Sequence, residues 1–480
     1  MAAQILIRFL SALLLVCSWE AQAQPRTVFV QMFEWPWKDI ARECELYLGP
    51  AGFSAVQVSP PHEHIMWKDH PWWERYQVVS YQINSRSGTQ QEFVEMITRC
   101  RQAGVDIYVD AVLNHMSGVP GGKGFAKTSF SHYDYPGLYS NEDFHHCGRN
   151  GNDDIVNYSD RWEVQNCELL DLADLATEKE SVQNKLANYL NHLLDLGVAG
   201  FRIDAAKHIP AADLVAIKNK LKRSAYIYNE MIHDPRVPIE YAEYLPVGDV
   251  MAYDYAFRMA RAFREKNPDI LKYASSGFPD SADSIVFMTN HDTERLPFSP
   301  VLSYNGAESD LYRLAQIFML AWPFGYPQVY SGFVFNHHDM GPPLDVNFRL
   351  VDILNEKNQC RAPWTCEHRL PEVAAMVGFR NKTDSAFSVS DWWSNGRDAL
   401  SFSRGSQGFV AINWSHSSLT QTFKTSMKDG VYCNIIGHDY QWSDGRCSVG
   451  YKVENGSVRV TMPAMSAFVL LKETSPQRKK

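Results

Sequence analysis

The chain has 480 residues, 45% hydrophobic and 21% charged, which is globular composition with room for a large core and more than one domain. Its formal net charge is -9, and outside the tail Arg478, Lys479 and Lys480 it has no basic run, which argues against a nucleic-acid-binding protein. The 13 Trp raise aromatic content to 13%; such rings serve core packing and also suit the apolar faces of sugars.

At the N-terminus, Arg8 precedes the apolar run "FLSALLLVC", and Ala21-Gln22-Ala23 fits the small-x-small cleavage rule. Residues 1–23 are therefore expected to be a secretory signal, with Gln24 as the first mature residue. The run is too short to span a bilayer comfortably, and no later segment reads as transmembrane. Short β-rich runs then follow at 27–33, 55–59, 106–112, 200–203, 225–228, 250–253, 285–289 and 328–330. Between them lie "DIARECELYL", "TQQEFVEMITRCRQAG", "KESVQNKLANYLNHLLDLG" and "AADLVAIKNKL", where apolar residues recur at helical spacing. Eight strands alternating with helices predict an α/β fold, a parallel (β/α)8 TIM barrel over 24–115 and 175–383. Residues 116–174 are rich in Gly, Ser, Asn, Asp and His without a helical period, and predict a small inserted domain after the third strand. From 384 to 480, runs such as "ALSFSRG", "GFVAINW" and "SVRVTMP" alternate with period two and predict a C-terminal all-β domain.

With Cys17 removed in the signal, eight cysteines remain, an even number in an exported chain, and disulfides are expected. No CxxC pair or Cys/His cluster has zinc spacing, and His145-His146-Cys147 reads as loop.

Functional side chains of such a barrel gather at the C-terminal ends of its strands. The stretch "GFRIDAAKH" (200–208) packs Arg202, Asp204, Lys207 and His208 at one such end. Taken alone, Arg202 and Asp204 read equally well as a structural ion pair. Two further acids alter that balance: Glu230 ends "AYIYNE" and Asp292 ends "IVFMTNHD", so three carboxylates converge on one mouth. Retaining glycoside hydrolysis uses a carboxylate nucleophile and a second carboxylic acid about 5 Å away. Crowding raises the pKa of at least one of them and keeps a proton available. Arg202 would hold the nucleophile ionised and oriented.

The set "DAVLNH" (110–115), "GFRIDAAKH", Asn229-Glu230 and "FMTNHD" (287–292) resembles, in order, the four signature regions of the alpha-amylase family of glycoside hydrolases. The resemblance extends to "FEWPWKDIARECELYLGPAGFSAVQVSPP" and "PWWERYQVVSY", which are similar to animal-type alpha-amylases and their bacterial relatives. It implies Asp204 as nucleophile, Glu230 as acid/base and Asp292 as transition-state stabiliser. His115 and His291 match the pair that binds sugar hydroxyls, and Trp72, Trp73, Tyr76 and Gln77 match a substrate-lining stretch. Lys207 and His208 resemble residues near the product-side subsites. The family also carries a structural calcium, whose side-chain ligands match Asn114 and Asp174; Gln165 and His208 match residues that ligate through backbone carbonyls. All-oxygen ligation suits such a hard cation. The resemblance pairs Cys44 with Cys100, Cys147 with Cys167, Cys360 with Cys366, and Cys433 with Cys447. Many animal-type relatives bind chloride at the positions of Arg202, Asn290 and a second basic residue; here Gln328 stands at that third position, and chloride is not expected.

The activity implied is that of a secreted, monomeric endo-acting enzyme on starch, glycogen and malto-oligosaccharides, with no nucleic-acid or membrane partner. Two alternatives stand beside it. One is a family member that transglycosylates or releases one short product, since the segment between Asp204 and Glu230 is short and "MIHDPRVPIEYAEYL" is unusual. The other is a non-catalytic α-glucan-binding protein, which would have no need of all three acids.

Overall fold

The computed structural model describes residues 27–296, 299–441 and 445–476. The signal expected at 1–23 and the basic tail lie outside the described residues. Eight parallel strands form a closed barrel: β1 (Phe29–Met32), β2 (Ala55–Val58), β3 (Asp106–Val112), β4 (Gly200–Asp204), β5 (Tyr226–Asn229), β6 (Asp249–Met251), β7 (Ser284–Phe287) and β8 (Tyr326–Ser331). Each strand pairs with its neighbours in sequence, and β8 closes on β1. All eight lie where the β-rich runs place them, with ends shifted by at most two residues. At β6 the strand stops two residues early because Tyr253 opens a helix.

Alternation sorts the strand side chains. Val109, Ala111, Phe201, Ile203 and Ile227 point outward into the layer under the helices. Phe29, Tyr108, Tyr228 and Phe287 fill the lower barrel. Each fully buried large apolar side chain stabilises by roughly 1.5–3 kcal/mol. Above the lower layer, the inward positions are polar. Arg202 lies opposite Asp110 and Tyr228 in the parallel register.

The outer layer includes α1 (Trp37–Glu43), α2 (Gln90–Gln102), α3 (Glu180–Leu196), α4 (Ala211–Lys218), α5 (Tyr253–Arg264), α6 (Ser309–Ala321) and α7 (Pro371–Thr383). The start of α2 is set by a capping box, in which Thr89 and Glu92 satisfy each other's backbone N–H. The run "DIARECELYL" departs from one continuous helix: after α1 it widens into a π-turn, Cys44–Leu48. Cys44, in that turn, is bonded to Cys100 of α2. The other three disulfides join Cys147 to Cys167, Cys360 to Cys366 and Cys433 to Cys447, the pairing that the resemblance implied.

Between β3 and α3 the chain leaves the barrel, forms a small hairpin (Gly121–Lys123 with Ser129–Ser131) and makes one short helix, Arg161–Val164. It returns beside its own exit. His115 bridges Asp174, Met116 N–H donates to Ala173 O, and Leu175 N–H donates to Asn114 O. Beyond α7, two four-stranded antiparallel sheets enclose a second core. The first of them docks on the barrel helices through Phe402 against Phe318 and through Arg404, which donates to Ala321 O and Thr383 O.

Candidate active site

Four strands deliver four carboxylates to one guanidinium. Arg202 of β4 donates through one terminal nitrogen to Asp110 Oδ1 (2.5 Å) and Asp204 Oδ1 (2.8 Å). Its other terminal nitrogen lies 3.1 Å from Glu230 Oε2 and 3.9 Å from Asp292 Oδ2. Side-chain exposure rises from 0% at Asp110 through 10% at Asp204 and 14% at Glu230 to 33% at Asp292, so the cluster opens from the barrel core toward solvent. The bland reading of Arg202 as a partner of Asp204 alone does not describe this arrangement. Ala205, just past β4, adopts the left-handed conformation at φ 49°, which an Ala rarely does without compensation. That turn aims its N–H at Glu230 Oε2, 2.7 Å away.

One cation cannot balance four acids. Burial is the largest influence raising the Asp110 and Asp204 carboxyls, with Arg202 pulling each down and Glu230 pushing each up. Asp292 is raised to about 7 by burial first and then by the charge of Glu230. The acids in turn hold the Arg202 guanidinium well above its ordinary value against the cost of its burial. The cluster therefore keeps a proton near neutral pH, and that proton belongs to the group as a whole.

Tyr, Asn and Gln side chains behind the acids fix them in place. Tyr253 donates to Glu230 Oε1 (3.0 Å), and Asn290 Nδ2 donates to Tyr253 (3.0 Å). The Asn290 carbonyl oxygen accepts from the backbone of Asp292 and Thr293, so one amide ties the Glu230 and Asp292 segments together. Tyr76 and Gln57 donate to Asp110 Oδ2 (2.9 and 3.3 Å). Gln328 spends its amide N–H on Gln57 Oε1, which also accepts from Tyr228.

Beside the acids lies a cleft of about 520 Å³ lined by Trp72, Trp73, Tyr76, Gln77, Asp292 and Asp339, among others. Trp72 donates to His338 O and Trp73 to Asp339 Oδ1, and Gln77 accepts from Ser117 and Gly118. His291 is buried between Phe33 and Tyr76, stacked on both. Its Nδ1 accepts from Gln31, which leaves the Nε2 proton facing Asp292 Oδ1 at 3.3 Å. Burial keeps this ring neutral, well below the ordinary histidine range.

Residues 45–237 match the family described as "Alpha amylase, catalytic domain", and 392–473 match "Alpha amylase, C-terminal all-beta domain". An alpha-amylase from Thermomonospora curvata is 43% identical over 477 residues, covering 95% of this chain and 76% of that protein. The chain belongs to the alpha-amylase family. It is a glycoside hydrolase, and its substrates are carbohydrates. An alpha-amylase-related protein of Drosophila ercepeae is 39% identical, with coverage of 92% and 93%. Alpha-amylase I from Eisenia fetida, solved as wild type and as a mutant in complex with maltohexaose, superposes with a TM-score of 0.86 at 34% identity, covering 93% of this chain and 97% of that one.

The remaining alpha-amylase positions fall around the inserted segment. His115 donates through Nε2 to Tyr76 O and accepts at Nδ1 from Asn114, and burial lowers it to about 4. Asn114 Nδ2 also donates to Asp174 Oδ1 (3.1 Å), while His145 Nδ1 donates to Asp174 Oδ2 (2.7 Å). Burial raises Asp174 to about 6. His145, which reads as loop in the sequence, is therefore the partner of a buried acid. His208 donates to Val164 O (2.9 Å) and is lowered to about 4 by burial; Gln165 donates to Tyr244 (3.1 Å). Lys207 lies apart from the acids, donating to Ile232 O (2.9 Å).

Four residues of the site escape sequence reasoning. Asp110 carries a legible signal, since it opens "DAVLNH" at the end of a β-rich run, like the other three acids. Gln57, Tyr253 and Asp339 carry none.

Proposed function

We propose that this enzyme hydrolyses internal α-1,4-glucosidic bonds of starch, glycogen and malto-oligosaccharides by a retaining double displacement. The observation that carries the reading is the contact of Arg202 with Asp204, Glu230 and Asp292 at the barrel mouth. In the first step Asp204 attacks the anomeric carbon while Glu230 gives its proton to the leaving glycosidic oxygen. The C–O bond to the leaving sugar breaks and a glycosyl ester of Asp204 forms. In the second step Glu230 removes a proton from water, which displaces Asp204 and restores both carboxyls. Asp292 faces the positive charge that develops on the ring. Arg202 orients Asp204 and draws its carboxyl down against burial, and the Tyr253 hydroxyl and the Ala205 N–H hold the Glu230 carboxyl in place. The neutral His291 and His115, with the Trp72 and Trp73 rings, would orient the sugar hydroxyls and faces. The maltohexaose bound by the Eisenia fetida mutant supports an α-glucan as occupant.

The test is reducing-sugar release from soluble starch, with products resolved by chromatography and their anomeric form followed by NMR. Mixed malto-oligosaccharides of retained configuration are expected from the earliest times. One short product, or transfer to added sugar, favours the transglycosylating relative; absence of release would refute starch as the substrate. Repeated in chloride-free buffer and titrated with chloride at fixed ionic strength, the rate should stay level. Gln328 brings no positive charge, and one of its two amide N–H groups already donates to Gln57. Saturable several-fold activation would count against this.

We further propose export through the signal at 1–23 and a structural calcium held by Asn114, Asp174 and the carbonyls of Gln165 and His208. Among the described residues no three His, Cys, Asp or Glu side chains gather as a metal-binding group, so a cation here needs amide and carbonyl oxygens. The buried Asp174 carboxylate, with His145 as its ring partner, fits that donor set. The ion would tie the inserted segment to the barrel. A ligand bound only to the native state adds to folding free energy, so EDTA should lower the melting temperature by several degrees. An unchanged melting temperature after metal analysis has confirmed removal would refute the calcium site.

A further inference from the structure

A second cleft, of about 510 Å³, adjoins the catalytic one and shares only Trp73 and Asp339 with it. Trp67 forms one wall with 42% of its surface exposed, where Trp side chains are on average highly buried. Trp73 and Asp339 line both clefts, and the bond from Trp73 Nε1 to Asp339 Oδ1 forms the ridge between them. The Trp67 and Trp73 rings stand 6.4 Å apart at 48°, too tilted to stack on each other and open as two adjoining platforms.

The Trp67 platform is preformed. The Trp67 backbone N–H donates to Glu74 Oε2 (2.9 Å), and its backbone carbonyl accepts from His70 N–H, closing a tight turn through Asp69 (φ 64°) and His70 (φ 46°). Glu74 is buried and paired with Arg86 at 3.0 Å; Arg86 also donates to Pro71 O. On the far side, Gly341 packs so closely that a Cβ there would come within 2.0 Å of His70 O. A rigid exposed ring binds without first paying for its own ordering.

Resting on the active-site reading above, we infer that Trp67 and Trp73 form an additional glucan subsite, which holds a glucose unit of the same chain beyond those bound over the catalytic acids. Two observations select this occupant. The cleft adjoins the catalytic one, with Trp73 and Asp339 lining both. Its charges are mixed, with Lys68 against Asp69 and Asp339, so they favour a neutral polyhydroxylated ligand over an anion or a cation. The ring supplies an apolar face for the sugar C–H surface, and Asp69, His70 and Asp339 supply partners for its hydroxyls. The subsite would make the enzyme prefer long chains and would shift where long chains are cut.

Calorimetric titration of the Asp204→Asn protein with maltotriose and with maltoheptaose tests this. The parent should bind maltoheptaose more tightly, and adding Trp67→Ala should weaken maltoheptaose about three- to tenfold while moving maltotriose less than about twofold. Adding Trp67→Tyr instead should restore most of the difference, which a merely structural role for this residue would not produce. On the active enzyme, end-labelled maltoheptaose should show a changed cleavage pattern when Trp67 is Ala. Equal maltoheptaose affinity with and without Trp67, or equal weakening of both sugars, overturns the subsite alone. Failure of the parent to bind either sugar overturns the active-site reading and the subsite with it.

Discussion

Asp204→Asn is expected to lower kcat on soluble starch by at least about 10³-fold while leaving starch binding close to wild type. The substitution keeps the shape of the side chain and removes the oxygen nucleophile, so the glycosyl ester cannot form. What remains is transition-state binding by the other groups. The fold should tolerate it, because Asp204 is one of four acids crowded on Arg202 and burial already raises its carboxyl. Replacing it with a neutral amide relieves repulsion, and the melting temperature should hold steady or rise. Steady-state kinetics and a thermal melt on the same preparation check both halves. A variant that keeps more than a tenth of the wild-type rate would remove Asp204 from the role of nucleophile.

Arg202→Ala should abolish activity and cost about 3–5 kcal/mol of stability, since it strands buried carboxylates without their cation. The sign of the pH dependence follows from the carboxyls. Asp292 is raised to about 7, far above an unfolded Asp near 3.9, and Asp110 and Asp204 are also raised. The native state thus binds more protons than the unfolded one. Stability from these groups is full below the unfolded values and is lost as pH rises through the folded ones. Without Arg202 the folded values climb further, so the deficit of the variant should widen from pH 5 to pH 8. Urea unfolding at several pH values measures it. Lys at 202 should not restore activity, because one ammonium cannot present the two terminal nitrogens that divide the four acids. A variant within about 1 kcal/mol of wild type at every pH would show that the cluster does not depend on this guanidinium.

Much of this protein is legible in the order of its residues. Each barrel strand announces itself through a local apolar run, and helices such as α2 and α3 through a 3.6-residue period, because burial of one face leaves a repeating mark along the chain. Asp204, Glu230 and Asp292 are legible for the same reason: each ends a strand, and barrel geometry sends strand ends to one mouth. The period fails at "DIARECELYL", where the turn at Cys44 meets α2 and widens the helix in a way local pattern does not encode.

The contacts that make the site a unit were decided elsewhere. Asp110 and Arg202 are 92 positions apart and meet only because β3 and β4 pair in a register that sets them opposite each other. Tyr253 reaches Glu230 because β6 ends early and starts its helix under that carboxylate. Trp67 stands beside Trp73 because a buried Glu74 and a close-packed Gly341 hold its turn in place. The sequence by itself determined which side chains would be buried, which would alternate and which acids would end strands, since those properties depend on neighbours a few residues away. Tertiary structure alone decided which acids share a cation and which rings share a cleft, because barrel closure and strand register bring together groups that no local pattern relates.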